Sequence, residues 1–128
     1  MSIDEWIEAY RLAWENRDPE AAAALFTEDC SYRENIIEEA HLGREGVARY
    51  WSNVTEAQSE VTVRMGRPFA QDDRVAVEFW TNMLVEGDPV TLPGCLLLDF
   101  DGQGLCRRLR EYWHFFPGHH TPPPEWGE

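Results

Sequence analysis

The hydrophobic periodicity of the sequence changes near residue 58, and no other feature constrains the fold as strongly. Before this point apolar residues recur at helical spacing, and after it β-branched and apolar residues alternate with polar ones. Short turn-like stretches separate the alternating segments, which forces neighbouring strands to run antiparallel. Helices followed by such a meander predict an α+β domain with its helices packed on one face of the sheet. The predicted strands of the meander cover residues 61–69, 74–85, 90–100 and 105–116.

Two local signals mark helix starts in the first half of the chain. Ser2 and Glu5 have the spacing of a capping box, in which each side chain bonds the other residue's amide. Asp18 and Pro19 suit the N-cap and the first position of a second helix. Apolar residues at helical spacing follow the first signal: Ile3, Trp6, Ile7, Tyr10 and Trp14. The second helix is predicted over 20–26, a short strand over 30–35 and a third helix over 44–54.

Length and composition fit one globular domain. The 128 residues are 43% hydrophobic and 12% aromatic, enough for a single core without disulfide or metal staples. No internal repeat is visible. Residues 1–116 are predicted as the domain, and residues 117–128, which contain three consecutive prolines, as an extended tail.

The net charge of −13 argues against two classes of partner. Such a surface repels phosphate backbones and anionic headgroups, so neither nucleic acid nor membrane is expected as a partner. The N-terminus is acidic where a secretory signal carries positive charge, and no apolar run reaches about 20 residues. The widely spaced Cys30, Cys95 and Cys106 are expected as free thiols. We therefore predict a cytoplasmic protein.

Three short motifs occur in order along the chain. Residues 21–29 read AAAALFTED, residues 43–47 read GREGV and residues 110–113 read REYW. Together they resemble the nuclear transport factor 2-like superfamily, and in particular its SnoaL-like domains, over residues 3–116. The resemblance implies a cone-shaped fold, with three N-terminal helices on a strongly curved, mostly antiparallel sheet, one small-molecule pocket and a homodimer. Because this fold hosts many activities, it does not by itself imply a reaction.

The nearest chemistry is that of limonene-epoxide hydrolase-like members, and the match is incomplete. Tyr32 is similar to a Tyr on their first strand, and Glu34 stands where they have an Asn. Glu111 matches the acidic residue of their last strand. Glu78 and Trp80 fall by spacing where that family has an Arg and an Asp, so this pair is absent.

Two carboxylates are candidates for acid–base catalysis. Alternation places Glu111 on the apolar face of the last strand with Leu109 and Trp113, and burial there would raise its pKa. Alternatively, a buried Tyr or Arg satisfies this carboxylate, or it opens onto a dimer interface. Glu34 shares a strand face with Tyr32, and a second carboxylate in one cavity would separate the two pKa values. Alternatively, Glu34 lies in solvent at the strand end.

Other side chains are candidates for the cavity wall. Glu78, Trp80 and Asn82 share one strand face, and the resemblance directs them inward, although periodicity does not choose between the faces. Aromatic residues expected to contribute to the wall, or simply to the core, are Trp6, Tyr10, Trp14, Tyr50, Trp51 and Trp113. His41, in the loop before the third helix, is a candidate lid residue. We assign no metal and no cofactor, because no spaced ligand set or phosphate loop is present.

These residues support two functions. The first is a cofactor-free enzyme, an isomerase, cyclase or hydrolase, acting on a small apolar substrate. In it Glu111, with Glu34 or Glu78, moves protons while Tyr32 donates a hydrogen bond to a developing oxyanion. The second is a non-catalytic ligand-binding or accessory dimerisation domain, which the missing Arg and Asp favour.

Overall fold

The computed structural model describes all 128 residues as three helices and eight strands, and it confirms the α+β prediction. The helices are α1 (Ile3–Glu15), α2 (Pro19–Ala23) and α3 (Gly43–Thr55). The strands are β1 (Phe26–Arg33), β2 (His41–Leu42), β3 (Gln58–Met65), β4 (Phe69–Gln71), β5 (Arg74–Val85), β6 (Asp88–Phe100), β7 (Cys106–Trp113) and β8 (Phe116–Pro117). No helix is long and apolar enough to cross a membrane.

Both predicted helix starts are confirmed. The Ser2 hydroxyl accepts from the Glu5 amide at 3.1 Å, and Glu5 Oε1 accepts from the Ser2 amide at 2.9 Å. Asp18 Oδ1 accepts from the Ala21 amide at 3.1 Å. Because each side chain satisfies an amide that has no partner within the helix, the chain turns into a helix at these points.

Several element boundaries differ from the prediction. The strand predicted over 30–35 is β1 (Phe26–Arg33), and the strand predicted over 105–116 ends as β7 at Trp113. The second helix ends at Ala23 rather than at residue 26, because Phe26 is fully buried as the first residue of β1. The strand predicted over 61–69 is two strands, β3 and β4. Pro68 lies between them, and a proline has no amide to donate to a sheet ladder.

All eight strands form one curved, mixed sheet. Its order is β2-β1-β7-β6-β5-β3, with β4 also paired to β5 and β8 to β6. The meander is confirmed, since β5, β6 and β7 are consecutive antiparallel neighbours. The single parallel pair joins β1 to β7 and so brings an N-terminal strand beside the last long strand.

The helices cover the inner face of the sheet, and aromatic rings fill the space between them. Trp6 of α1 stacks on Tyr10 at 5.2 Å between ring centroids and meets Phe26 edge-on at 5.7 Å. Opposite them lies the apolar face of β5, formed by Val75, Val77, Phe79 and Met83 with Thr81 among them. Burial of this face contributes to the hydrophobic stabilisation of the domain.

The prediction that Glu78, Trp80 and Asn82 face the interior is wrong. They alternate with the buried residues of β5, so they lie on the outer face of the sheet, and Glu78 is exposed. The all-apolar face of β5 takes the interior because the helices must bury against it. An error of one residue in strand parity exchanges the two faces, and the sequence pattern alone does not exclude that error.

The segment 117–128, predicted as an extended tail, packs on this outer face. The Trp126 ring meets Trp80 edge-on at 5.8 Å, and the Arg64 guanidinium lies 5.1 Å from its ring centroid. Trp80 Nε1 donates to the His120 carbonyl at 2.9 Å, and Asn82 Nδ2 donates to the same oxygen at 3.2 Å. These contacts explain why Trp80 and Asn82 are half-buried although they face outward.

Candidate active site

A cavity of about 360 Å³ lies between helices α1 and α3 and the inner face of the sheet. Sixteen residues line it, of which twelve are hydrophobic. Seven of the residues predicted from sequence are among them: Tyr10, Trp14, Tyr32, Glu34, Trp51, Glu111 and Trp113. The lining does not include Glu78, Trp80 or Asn82, which are on the other face of the sheet.

Nine further residues complete the lining; the sequence-based prediction named Tyr50 only as an aromatic of the wall or the core and missed the other eight. The nine are Tyr50, Asn53, Val54, Ala57, Gln58, Met83, Val85, Leu92 and Phe115. A sequence signal existed for Tyr50, which belongs to the apolar stripe of the third helix. Met83 and Val85 belong to the apolar face of β5, which lines the cavity. The prediction assigned the other face of this strand to the interior and so did not include them.

The parallel pairing of β1 with β7 brings the polar residues of the cavity together. In its register Tyr32 lies beside Leu109 and Arg33 beside Arg110. Because both strands run in the same direction, the next step along each chain sets Glu34 alongside Glu111. Two carboxylates 77 positions apart in sequence therefore enter the same end of the cavity.

Glu111 is buried and shares one of its oxygens with two tyrosines. Tyr32 donates to Glu111 Oε1 at 2.9 Å, and Tyr10 lies 3.4 Å from the same atom. The two phenolic oxygens are 2.8 Å apart. The two shorter contacts, at 2.8 and 2.9 Å, define the hydrogen bonds: Tyr10 donates to Tyr32, and Tyr32 donates to the carboxylate. One alternative stated from the sequence, that a buried Tyr satisfies the Glu111 carboxylate, therefore describes part of the site.

Burial raises the pKa of Glu111 to about 7, and the hydrogen bond from Tyr32 counteracts part of that rise. The negative charge of Glu34 raises the pKa of Glu111 further, while the Tyr10 hydrogen bond lowers it. Burial also raises the pKa values of Tyr10 and Tyr32 well above the ordinary value, as does the nearby Glu111 charge. Both tyrosines therefore stay neutral donors while Glu111 exchanges a proton near neutrality.

The second oxygen of Glu111 has no partner in the protein. Both tyrosine contacts go to Oε1. Oε2 makes no hydrogen bond and keeps some accessible surface. Since Glu111 lines the cavity, Oε2 is the atom it presents to that space. A molecule in the cavity therefore meets an oxygen able to accept or donate a proton.

Tyr50 and His41 complete the polar end of the cavity. The Tyr50 hydroxyl makes no hydrogen bond, and burial raises its pKa well above the ordinary value, as do the charges of Glu111 and Glu34. Its ring lies against His41, with centroids 4.7 Å apart. His41 Nε2 is 2.8 Å from Glu34 Oε2, so the candidate lid residue contacts a cavity carboxylate without lining the cavity itself.

Two of the three tryptophans of the wall are held by hydrogen bonds at their indole nitrogens. Trp113 Nε1 donates to the Glu34 carbonyl at 2.6 Å, and Trp14 Nε1 donates to Gln58 Oε1 at 3.1 Å. Trp51 Nε1 is buried without a partner. The lining contains no Lys, Arg or His. No group of three or more His, Cys, Asp or Glu side chains is arranged to hold a metal ion.

Comparisons of the structure with solved structures show the same fold in proteins of low sequence identity. A hypothetical protein with a ketosteroid isomerase-like fold from Catenulispora acidiphila, crystallised with trimethylamine, matches with a TM-score of 0.78 and 23% identity over 87% of this chain and 86% of that one. The epoxide hydrolase/cyclase-like enzyme SalBIII, of pyran ring formation in salinomycin, gives a TM-score of 0.76 and 21% identity, covering 87% and 89%. An LEH-like epoxide hydrolase of M. tuberculosis gives 0.71 and 21%, covering 86% and 80%.

Comparison of the sequence with protein families identifies one domain. No curated protein matches the sequence. The model of the SnoaL-like domain matches residues 7–109, which is most of the chain and contains α1 to β6 with the start of β7. The resemblance found in the three short motifs is thereby confirmed, and the chain belongs to the SnoaL-like domain family.

Proposed function

We propose that this protein is a cofactor-independent acid–base enzyme, of the isomerase or cyclase type, that acts on a small and largely apolar molecule. The observation that carries the proposal is Glu111, a buried carboxylate with a pKa of about 7 and a free oxygen in a 360 Å³ cavity. A general base or acid works best when its pKa lies near the operating pH. The cavity volume falls within the range of about 300–1,000 Å³ typical of small-molecule sites.

An isomerisation illustrates the chemistry that these residues support. Ionised Glu111 removes a proton through Oε2 from the α-carbon of a β,γ-unsaturated ketone, and the C–H electron pair moves toward the carbonyl to form a dienolate. The unpartnered Tyr50 hydroxyl donates a hydrogen bond to the enolate oxygen. Glu111 then returns the proton to the γ-carbon while the carbonyl re-forms and the double bond shifts to the α,β position, so the product has the same atoms as the substrate.

The role of Tyr32 differs from the one expected from sequence. Its hydroxyl donates to Glu111 Oε1 and is not free to bond an oxyanion of the substrate. Tyr32 and Tyr10 instead hold the carboxylate in one orientation, with Oε2 toward the cavity. Glu34 keeps its proposed role as the second carboxylate, since its charge raises the pKa of Glu111. Glu78 has no role in this proposal, because it lies on the outer face.

One specific observation favours the second function, a binding domain without turnover. The Tyr10 hydroxyl donates to Tyr32 and the Tyr32 hydroxyl donates to Glu111, so Tyr50 is the single tyrosine of the lining with a free hydroxyl. An enzyme that stabilises an oxyanion commonly uses two or more donors. In the binding alternative, the same aromatic cavity holds a ligand without a chemical step.

Hydrogen exchange into small ketones separates the two functions. We would incubate a panel of cyclic ketones and enones with the protein in D₂O and follow loss of the α-proton signals by NMR. The proposal predicts exchange above the buffer rate that falls at least ~100-fold in Glu111→Gln. Glu78→Gln, which removes an exposed carboxylate from the outer face, is the matched control and should exchange at the wild-type rate. Equal exchange rates in Glu111→Gln and wild type would contradict the proposal.

We further propose that the helices and the curved sheet form a cone around the cavity, and that two copies associate through the outer face of the sheet. Exposed Tyr112 and Arg108 on β7 support this face as the contact, since the segment 117–128 covers a different part of it. A cytoplasmic location stays part of the proposal. Light scattering tests the dimer, and a monomer at high concentration would contradict it.

A further inference from the structure

We infer that the cavity recognises small organic cations, such as a protonated tertiary amine or a quaternary ammonium group. The inference deepens the proposed function, on which it rests, by naming the class of molecule that the cavity accepts. Two independent features of the lining carry it: a buried carboxylate that has no counter-ion, and a wall of aromatic rings beside that carboxylate.

The first feature is the lack of any positive partner for Glu111. Glu111 is 6% exposed, and no Lys, Arg or His lies within 4.0 Å of its carboxylate, as an ion pair would require. The groups that face it are Tyr10 from α1, Tyr32 from β1, Tyr50 from α3, and Glu34 beyond the end of β1. Buried charges in proteins are normally paired, and no side chain of this chain supplies a positive partner for Glu111.

Glu34 adds to this negative field rather than relieving it. It lies alongside Glu111, and its charge makes ionisation of Glu111 harder. The imidazole nearest to the site, His41, bonds Glu34 and does not reach Glu111. A bound cation would therefore interact with Glu111 directly and with Glu34 at longer range, and an anionic ligand would be repelled by both.

The second feature is the aromatic wall. Trp14, Tyr50, Trp51 and Trp113 line the same cavity, and Trp51 meets Trp14 and Tyr10 nearly perpendicularly, at 85° and 89°. Rings at right angles form a corner instead of a flat stack. The faces of such rings carry negative electrostatic potential and attract alkylammonium groups while also contacting their methyl groups. A neutral apolar ligand gains the methyl contacts alone.

The test compares two molecules of the same shape, choline and its neutral isostere 3,3-dimethylbutan-1-ol, in which carbon replaces the nitrogen. Affinities are measured by isothermal titration calorimetry at pH 8.5 and constant ionic strength. We expect choline to bind at least about fivefold more tightly than the isostere. At pH 5.5, where Glu111 is protonated, the preference should shrink, because the carboxylate has then lost its charge.

Two variants locate the recognition. Glu111→Gln should reduce the preference for choline to about twofold or less, whereas Glu78→Gln, on the outer face, should leave it unchanged. NMR shifts of the indole N–H signals of ¹⁵N-labelled wild-type protein report where choline binds without any substitution. Choline should shift the signals of Trp51 and Trp113 and leave that of Trp126, on the outer face, in place.

The outcomes distinguish this inference from the proposed function. Equal affinity for the two molecules, or no binding of either, would overturn cation recognition. A choline-dependent shift confined to Trp126 would overturn it as well. Neither result changes the outcome expected in the ketone exchange experiment, which tests catalysis with neutral probes. Conversely, preferential binding of choline together with absent exchange would support recognition and contradict catalysis.

Discussion

The Tyr32 hydroxyl lies 2.9 Å from Glu111 Oε1, and this contact joins the two strands of the single parallel pair in the sheet. It places a neutral donor against a carboxylate that has no positive partner. Tyr10, from α1, extends the contact into a chain of two phenols and one carboxylate. The protonation behaviour of Glu111 therefore depends on residues from three separate elements, and this dependence makes the site testable without a known substrate.

Removal of the Tyr32 hydroxyl should raise the pKa of Glu111. In Tyr32→Phe the carboxylate loses a hydrogen bond that stabilises its ionised form, and we expect a rise of about one unit. Tyr10→Phe is the matched variant, and its effect should be smaller because its hydroxyl lies 3.4 Å from Oε1. Carbon-detected NMR titration of both variants checks the order. A larger rise in Tyr10→Phe than in Tyr32→Phe would contradict it.

Glu111 should lower the stability of the protein at alkaline pH. Its pKa in the folded state, about 7, lies above its unfolded value near ~4.3, so the folded state holds the proton more tightly. The stability that this group contributes is complete below about pH 4.3 and is lost as the pH rises through 7. Glu111→Gln should therefore be more stable than wild type at pH 8.5, by up to about 3.5 kcal/mol.

Denaturant unfolding at pH 4.5 and pH 8.5 measures this difference. The advantage of Glu111→Gln should shrink to less than about 1 kcal/mol at the lower pH, where Glu111 is protonated in the folded state and about half protonated in the unfolded chain. Glu78→Gln should show no such pH dependence, since its carboxylate is exposed. A Glu111→Gln variant that is destabilised at pH 8.5 would be inconsistent with an uncompensated buried charge.

Asp99, on the outer face of β6, should be the most important ionised carboxylate for stability. It is 3% exposed and contacts Arg108 Nε at 2.7 Å, Arg74 Nε at 3.2 Å and Arg110 at 3.4 Å. Burial alone would raise its pKa, but the hydrogen bond and charge of Arg108, with those of Arg110, lower it overall. Its contribution to stability is therefore present above the unfolded pKa and is lost as the pH falls through the lowered folded value.

Asp99→Asn should cost about 3 kcal/mol at pH 7, because it leaves the half-buried Arg110 without its counter-ion. Asp72→Asn, in an exposed turn where Asn tolerates the positive φ, is the control and should change little. Thermal unfolding of the two variants gives the comparison. Equal melting temperatures of Asp99→Asn and Asp72→Asn would show that the ion pairs of the three arginines with Asp99 do not stabilise the fold.

Trp126 should anchor the C-terminal segment to the sheet. Trp126→Ala removes the edge-on contact with Trp80 and the contact with Arg64, and we expect a loss of about 1–2 kcal/mol. Trp126→Phe keeps an aromatic ring and should lose less. Fluorescence-detected unfolding measures both. If Trp126→Ala unfolds like wild type, the segment is not held by this ring.

Much of the fold could be predicted from local signals. The capping pairs at Ser2 and Asp18 act within one turn of helix, so the sequence alone contains the whole interaction. The strand over 74–85 was bounded by turn residues and matched β5 at both ends. The parallel pairing of β1 with β7 could not be read in this way, because it joins segments with the whole meander between them.

The site was predictable only in part, for the same reason. Glu111 stood out as a carboxylate on an apolar strand face, a pattern that one strand contains by itself. The inward direction assigned to Glu78, Trp80 and Asn82 failed because it depended on which face of β5 meets the helices. Trp80 and Asn82 are half-buried on the outer face because the segment 117–128 covers them. This segment is distant in sequence, and its residues show no hydrophobic periodicity that would predict the contact.

The most direct test of this account is the titration of Glu111 itself. The carboxyl carbons of ¹³C-labelled protein are followed by NMR from pH 3 to pH 10, with Glu111 assigned by its disappearance in Glu111→Gln. The account predicts a midpoint near 7, well above the value near ~4.3 of an ordinary Glu. A midpoint at 4.3 or below would mean that the ionised carboxylate is compensated within the protein, and both the acid–base role and the proposed recognition of cations would be contradicted.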